Sequence, residues 1–149
     1  MAEQRWNKVK QRLSGIIATG LDVLFISSPV HKKTTYSEIK LRFFQVKLNG
    51  EIIWRFPKDS EQINDDFVYG YYPENYEYPI SSIIKYLDLS HDLLLHYEDN
   101  VGLADILKVC DKRIGYNRLK NLELSSAAKK IFDVRFEGKE RILESENKK

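Results

Sequence analysis

The dipeptide Asn49-Gly50, set between two apolar-rich runs, restricts the fold of this chain more than any other feature. Asn-Gly readily adopts the two positive φ angles of a type I′ turn, which joins neighbouring antiparallel strands. The flanking runs, YSEIKLRFFQVKL and EIIWRFP, place apolar residues at alternate positions over much of their length. We therefore expect a β-hairpin between Tyr36 and Pro57 with one face buried. The alternation changes phase at Phe43-Phe44, which predicts either a bulge or a strand covered on both faces.

Helical spacing of apolar residues predicts an amphipathic helix at the start of the chain. The residues of its apolar stripe are Trp6, Val9, Leu13, Ile16 and Ile17. A short strand is expected over residues 21–30. Pro29 lacks the N–H needed for pairing on one side, so this strand should end there or lie at a sheet edge.

The second half of the chain is predicted to be mainly helical. Helix starts are expected at Ser81 or Ser82, near Ser90, at Asp99 or Asn100, and at Ser125 or Ser126, because these residue types cap helices. The helix after Asn100 should end at Gly115 in a left-handed conformation, with basic residues gathered near its end.

Together these elements predict an α+β fold: an N-terminal helix, a small antiparallel sheet with the Asn49-Gly50 hairpin, and a C-terminal helical group on one face. A length of 149 residues suits one domain. We place that domain at residues 1–137, followed by a charged tail over residues 138–149. The last helix is expected to fray or trail off from Glu137.

Composition favours a cytoplasmic protein. No apolar run approaches the roughly 20 residues that span a bilayer, and the basic N-terminal stretch lacks the apolar core of a secretory signal. Cys110 is the single cysteine, so an intramolecular disulfide is excluded. The formal net charge of +2 is too small to indicate a nucleic-acid-binding protein by itself.

Residues 58–79, here called the acidic tyrosine-rich segment, are the candidate contact surface for a partner. From residue 59 to residue 77 there are six Asp or Glu residues and no Lys or Arg. Tyrosine is enriched at protein interfaces, and carboxylates would attract a basic partner. The predicted partner-binding residues are Asp65, Asp66, Tyr69, Tyr71, Tyr72, Glu74, Tyr76 and Glu77. The alternative is that the rings pack on the sheet while the carboxylates face water.

A second candidate is the cluster of Asp111, Lys112, Arg113 and Arg118. Asp111 could form a salt-bridged group with Arg113 and Arg118, since the planar guanidinium pairs well with a carboxylate. The alternative is that the cations of this cluster, together with Lys120, bind a phosphate or an acidic partner.

We predict no catalytic residue, metal site or cofactor. Cys110 falls on an apolar helical stripe with Leu103, Ile106 and Leu107, which is typical of a packed side chain. His91 and His96 are five positions apart, so they do not form the i, i+4 ligand pair of a helical metal site. The chain is therefore expected not to be an enzyme.

The segment from Ile84 to Leu119 resembles a helical module of uncharacterised bacterial proteins. Its matching residues are Tyr86-Leu87-Asp88-Leu89, Asp99-Asn100, Leu103-Ala104-Asp105-Ile106-Leu107, Asp111-Lys112-Arg113-Ile114-Gly115 and Arg118-Leu119. The opening Trp6-Asn7-Lys8-Val9-Lys10 with Leu13 is similar to the W-x-K-[IV]-K-x-x-L start of one such group. The chain departs from the module at Lys112 and at Tyr116-Asn117. The resemblance implies a bacterial origin and a small cytosolic accessory factor, with immunity to a toxin as one role, and it implies no known activity.

These observations predict a non-enzymatic protein-binding module, and a toxin-immunity protein is one form of it. The expected partner has a basic surface; we expect no association with a membrane. One alternative is a nucleic-acid-binding accessory protein that uses the basic helix 5–12 and the Lys112–Lys120 cluster. Another is a small hydrolase, which would require a pocket with convergent titratable groups.

Overall fold

The computed structural model describes residues 2–33, 38–56 and 78–147, and the side chains of residues 5–28, 43–56 and 79–137. Three strands form one antiparallel sheet in the order β1-β2-β3: β1 (Val23–Lys33), β2 (Glu38–Leu48) and β3 (Glu51–Phe56). The helices of the described residues are α1 (Ala2–Ser14), α2 (Tyr78–Leu87), a 3₁₀ helix (His91–His96), α3 (Ala104–Cys110), α4 (Tyr116–Leu119) and α5 (Ser126–Asn147). The fold is α+β, as predicted.

The hairpin between β2 and β3 is confirmed. Asn49 has φ 51° and Gly50 has φ 85°, so both turn residues are in the conformation that the type I′ turn requires. Phe43 and Phe44 are both buried, and the pairing register shifts opposite Val46 and Lys47. The extra residue of that shift is Ile53 of β3, and β2 pairs with β1 without interruption. Burial of consecutive side chains, and not a bulge in β2, therefore accompanies the phase change.

One face of the sheet carries the core. Phe25 of β1, Val46 of β2 and Trp54 of β3 lie in register across the three strands. On the other face, Leu24 and Ile52 are among the exposed large apolar residues. Pro29 lies within β1, which is an edge strand of this sheet as predicted, so its missing N–H can face away from β2.

Helix α1 packs its apolar stripe against this core face. Trp6, Val9 and Leu13 are buried, and the Trp6 ring meets Phe44 edge-on with a centroid distance of 6.2 Å. Arg12 donates a hydrogen bond to Asp88 at 2.6 Å, which ties the exposed side of α1 to the residue after α2. No helix among the described residues is long and apolar enough to cross a bilayer.

Three predicted boundaries of α2 and α3 were wrong. Helix α3 begins at Ala104, with Leu103 as its N-cap residue, and not at Asp99 or Asn100. Helix α2 begins at Tyr78 and not at a cap on Ser81 or Ser82, and Pro79 sits in its first turn, where a missing N–H costs nothing. Gly115 does not end α3 in a left-handed conformation, because α3 already ends at Cys110. Gly115 has φ −93° and instead precedes α4 as its N-cap residue.

The early end of α3 has a tertiary cause. The amide of Ala18 donates to the carbonyl of Cys110 at 2.8 Å, and the amide of Lys112 donates to the carbonyl of Ile16 at 2.7 Å. These bonds form a short antiparallel bridge that requires extended backbone after Cys110. At the other end of the chain, α5 continues to Asn147 and does not fray at Glu137.

Candidate functional site

The acidic tyrosine-rich segment joins the described fold at two defined points. Strand β3 ends at Phe56, and α2 begins at Tyr78, so the last two residues of the segment already belong to this helix. The predicted partner-binding residues lie between these points, outside the described residues: Asp65, Asp66, Tyr69, Tyr71, Tyr72, Glu74, Tyr76 and Glu77. The end of β3 and the start of α2 are therefore the two elements that flank the segment, and together they are called its base.

A single loop, Tyr97–Leu103, braces both elements of this base. The indole Nε1 of Trp54, on β3, donates to the carbonyl of Val101 at 3.0 Å. On α2, Ser82 donates through its hydroxyl to Asp99 Oδ2 at 2.5 Å, and the Tyr97 hydroxyl donates to the Ser82 carbonyl at 2.8 Å. We call residues 97–103 the bracing loop, since it bonds to the strand before the segment and to the helix after it.

Asp99 organises the bracing loop from within. Its Oδ1 accepts the amide of Gly102 at 3.2 Å, and its Oδ2 accepts the amide of Leu103 at 3.1 Å. The sequence predicts a helix start at Asp99 or Asn100, but the N-cap residue of α3 is Leu103, so Asp99 caps a turn of the bracing loop and not the helix itself. The bond to Ser82 was not predictable, because it joins residues 17 positions apart through side chains alone.

The conformation of Gly102 should be required for this brace. Gly102 has φ 84°, and a Cβ added there would lie 3.3 Å from Trp54 Nε1. We expect Gly102→Ala to lower the free energy of unfolding by about 1–2 kcal/mol, the usual cost of a left-handed conformation for a residue with a side chain. Urea unfolding followed by tryptophan fluorescence measures this loss.

The matched control for this substitution is Gly115→Ser. Gly115 has negative φ, a Cβ there would meet nothing within 4 Å, and serine is a favoured N-cap residue. Its stability should stay within about 0.5 kcal/mol of the wild type. Equal losses for the two substitutions would show that the positive φ angle of Gly102 does not cause the loss of stability.

A polar cleft of about 470 Å³ lies beside the bracing loop. Ser81, Lys85, Glu98 and Asn100 contribute to its lining. Ser82 also lines it, but this residue is buried and its hydroxyl proton is donated to Asp99. None of the described lining residues is a histidine or a cysteine. Ser82 therefore has no imidazole base beside it in the cleft, and its hydroxyl belongs to a structural hydrogen-bond network.

The Asp111 cluster is a buried ion pair at the end of α3. Asp111 is 0% exposed, and Arg113 binds it with Nε at 2.9 Å from Oδ1 and Nη2 at 2.7 Å from Oδ2. The Arg113 amide also donates to Oδ1 at 2.9 Å, and the Tyr86 hydroxyl donates to Oδ2 at 2.6 Å. Lys112 and Arg118 are exposed, and the described contacts of Asp111 do not include Arg118. Asp111 and Arg113 thus lock the junction, whereas Lys112 and Arg118 face solvent.

Arg135 of α5 completes this junction, a role that was not predicted from the sequence. Its Nη1 donates to the carbonyls of Val109 at 2.9 Å and Asp111 at 3.0 Å, and its Nη2 donates to the carbonyl of Ile114 at 2.9 Å. These carbonyls lie at the end of α3 and in the turn after it, where helical partners are missing. The available signal was an arginine at helical spacing from the buried Ala128 and Ile131.

Burial and pairing shift the pKa values of these groups in different directions. Desolvation raises the pKa of Asp111, but hydrogen bonds from Arg113 and Tyr86 outweigh it and hold this pKa below its ordinary value. The pKa of Tyr86 is raised by burial and by its bond to Asp111. Burial lowers the pKa of Arg135. At neutral pH the junction therefore holds an ionised Asp111, a neutral Tyr86 and two charged arginines.

Cys110 is packed inside the core. Its residue is 1% exposed, and burial raises the pKa of its thiol to about 12. A reactive cysteine needs an accessible thiolate, so this geometry opposes a role in nucleophilic catalysis. His91 and His96 are exposed at the two ends of the 3₁₀ helix. Within the described part of the chain, no three His, Cys, Asp or Glu residues are grouped as a metal site would require.

Comparison of the chain with family models, with curated proteins and with solved structures gave no match.

Proposed function

We propose that this chain is a non-enzymatic binding protein of the bacterial cytosol whose acidic tyrosine-rich segment contacts a partner with a basic surface. The proposed contact residues are the four carboxylates Asp65, Asp66, Glu74 and Glu77 and the tyrosines between them. Tyrosine side chains offer large, rigid contact area, and carboxylates accelerate the encounter with a cationic surface.

The observation that supports this proposal best is the bracing loop. It bonds to Trp54 on one side of the segment and to Ser82 on the other. Both points from which the segment extends are therefore held by one network, and a partner that engages the segment would meet a fixed base. Binding to a pre-organised base loses less conformational entropy than binding to one that must be ordered.

We propose a toxin as one kind of partner. The resemblance of the opening helix and of the Asp111–Leu119 region to uncharacterised bacterial proteins suggests an immunity role. In that case the partner would be a toxin whose functional surface is basic, such as the substrate-binding surface of a nuclease. An acidic segment can cover such a surface by charge complementarity without any chemistry of its own.

The test is binding by a charge-neutral segment variant. The tagged chain is used to capture the partner from a lysate of the source organism, and affinities are then measured with the purified partner. We expect the variant D65N/D66N/E74Q/E77Q to bind at least about 100-fold more weakly, because close interfacial charges contribute several kcal/mol in total. Its melting temperature should match that of the wild type.

The matched control neutralises four exposed carboxylates elsewhere. The variant D22N/D92N/E123Q/D133N makes the same change in net charge at described, exposed positions. It should bind nearly as tightly as the wild type. If the segment variant bound normally, or if both variants lost affinity equally, the segment would not be the contact surface.

A further inference from the structure

Two basic stretches that are far apart in the sequence meet at the end of α1. The carbonyl of Ile16, just after α1, accepts the amide of Lys112 at 2.7 Å. The amide of Ala18 donates to the carbonyl of Cys110 at 2.8 Å. The end of the basic helix is therefore fixed by backbone hydrogen bonds to the turn that follows α3.

Side-chain hydrogen bonds at the C-terminal end of α2 also connect α1 with the turn after α3. Asp88, which follows α2, accepts a hydrogen bond from Arg12 of α1 at 2.6 Å. Tyr86, in the last turn of α2, donates to Asp111 at 2.6 Å. Lys85, in the same turn, is exposed and lines the polar cleft together with Glu98. Side chains of α1, of α2 and of the turn after α3 thus converge at one end of α2.

The exposed charge at this junction is mainly positive. Asp111, the acid within the turn, is fully buried and paired with Arg113, so the neighbouring Lys112 is the charge that reaches solvent. From residue 5 to residue 19 the chain has four basic residues and no acidic one. Lys8 and Arg12 lie on one flank of α1, four positions apart. Asp88 is exposed nearby and pairs with Arg12, so these two residues add no net charge to the surface.

We propose that Lys8 and Lys112 form the centre of a surface that binds the phosphodiester backbone of a nucleic acid without reading its sequence. Exposed lysine and arginine side chains make such contacts through charge alone. Arg118 and Lys120 are exposed on and just after α4 and extend the cationic surface beyond Lys112. This surface is independent of the proposed function above, since it uses other residues and a partner of opposite charge.

The burial of α1 favours a nucleic acid over an anionic membrane as the ligand. A helix that binds a bilayer surface inserts its apolar face among the lipids. The apolar face of α1 is already used: Trp6 is 6%, Val9 4% and Leu13 1% exposed. Only the charged flank of α1 is available for binding. A phosphodiester backbone can be bound by charged side chains alone, without insertion of an apolar face.

The experiment measures fluorescence anisotropy of labelled DNA and RNA duplexes of about 20 base pairs with the full chain, at about 50 mM and about 200 mM salt. The test variant is K8Q/K112Q, and the control is K129Q/K130Q, which removes two exposed cations from α5. Lys130 lines a groove with Glu51 and Asp133, so it belongs to a surface of mixed charge. Melting temperatures of all three proteins are compared to show that folding is unchanged.

We expect the wild type and the control to bind either duplex similarly. Across this salt range the wild type should lose about tenfold more affinity than K8Q/K112Q, because two fewer phosphate contacts reduce the slope of log affinity against log salt by about 1.8. Absence of wild-type binding at the lower salt, or equal loss in both variants, would overturn the proposal. So would binding to phosphatidylglycerol vesicles alone, or full displacement of the duplex by polyglutamate at equal charge, which would indicate an acidic protein as the ligand.

Discussion

Replacing Asp111 with asparagine should remove about 2–4 kcal/mol from the free energy of unfolding. Asp111 is fully buried, and its carboxylate accepts bonds from the Arg113 guanidinium and amide and from Tyr86. Breaking a buried ion pair by removing one partner usually costs about 3–5 kcal/mol. The lower figure here reflects Arg113, whose side chain is 20% exposed and can regain some hydration. For a chain of this length the melting temperature should fall by roughly 5–15 °C.

The matched control for this prediction is Asp88→Asn. It also removes a carboxylate bound by an arginine at 2.6 Å, but the Arg12 and Asp88 side chains are 47% and 60% exposed. Exposed pairs contribute less than about 1 kcal/mol. Thermal unfolding followed by circular dichroism compares the two variants directly. Equal effects would mean that the burial of Asp111 does not determine its contribution.

The stability difference between the wild type and Asp111→Asn should also depend on pH. The pKa of Asp111 is lowered in the folded protein, so folding favours the ionised carboxylate. Its contribution is fully present above the unfolded pKa of about 3.9 and is lost as the pH falls through the folded pKa. The difference between the two proteins should therefore be constant from about pH 5 to 7 and shrink in stronger acid. A difference that grew on acidification would contradict this assignment.

Replacing Arg135 with methionine should cost about 2–5 kcal/mol. The three carbonyls that Arg135 binds, at Val109, Asp111 and Ile114, would lose their guanidinium donors. Each buried carbonyl without a partner costs about 1–3 kcal/mol, and water entering the site would recover part of this. Methionine keeps an apolar stem of similar length, but it also removes the cation–π contact of the guanidinium with the Phe136 ring, 4.6 Å from the ring centroid.

Chemical denaturation at neutral pH measures this loss, and Lys129→Met is the control. Lys129 is exposed on the same helix, so its replacement should change stability by less than about 0.5 kcal/mol. Arg135→Lys should fall between the two, because an ammonium group cannot match the fork of the guanidinium. If Arg135→Met were no worse than Lys129→Met, the carbonyls would not depend on Arg135. In Arg135→Met, hydrogen exchange should be faster than in the wild type at the amides of Ala18 and Lys112, which pair with this junction.

The hairpin and the apolar stripe of α1 could be predicted from local features of the sequence. Asn49-Gly50 specifies its turn through backbone conformation, and Trp6, Val9 and Leu13 share a face through helical geometry alone. The bracing loop and the Arg135 junction were not predictable in this way. Each depends on groups brought together by the tertiary fold, such as Ser82 with Asp99.

Two of the wrong helix boundaries, the start of α2 and the end of α3, have the same physical origin. A glycine after a basic run normally indicates a helix end, but α3 ends earlier because residues 110–112 pair with residues 16–18. A serine before an apolar run normally indicates an N-cap, but Ser82 uses its hydroxyl to bind Asp99 across the fold. In both places a long-range hydrogen bond outweighed a local preference.

The most direct test of the proposed binding surface is hydrogen exchange of the chain with and without its captured partner. We expect peptides covering residues 58–79 to gain protection on binding, together with the bracing loop at residues 97–103. Peptides covering α1 and residues 111–120 should be unchanged by a protein partner. Protection confined to α1 and residues 111–120, with none over residues 58–79, would show that the segment is not the contact surface.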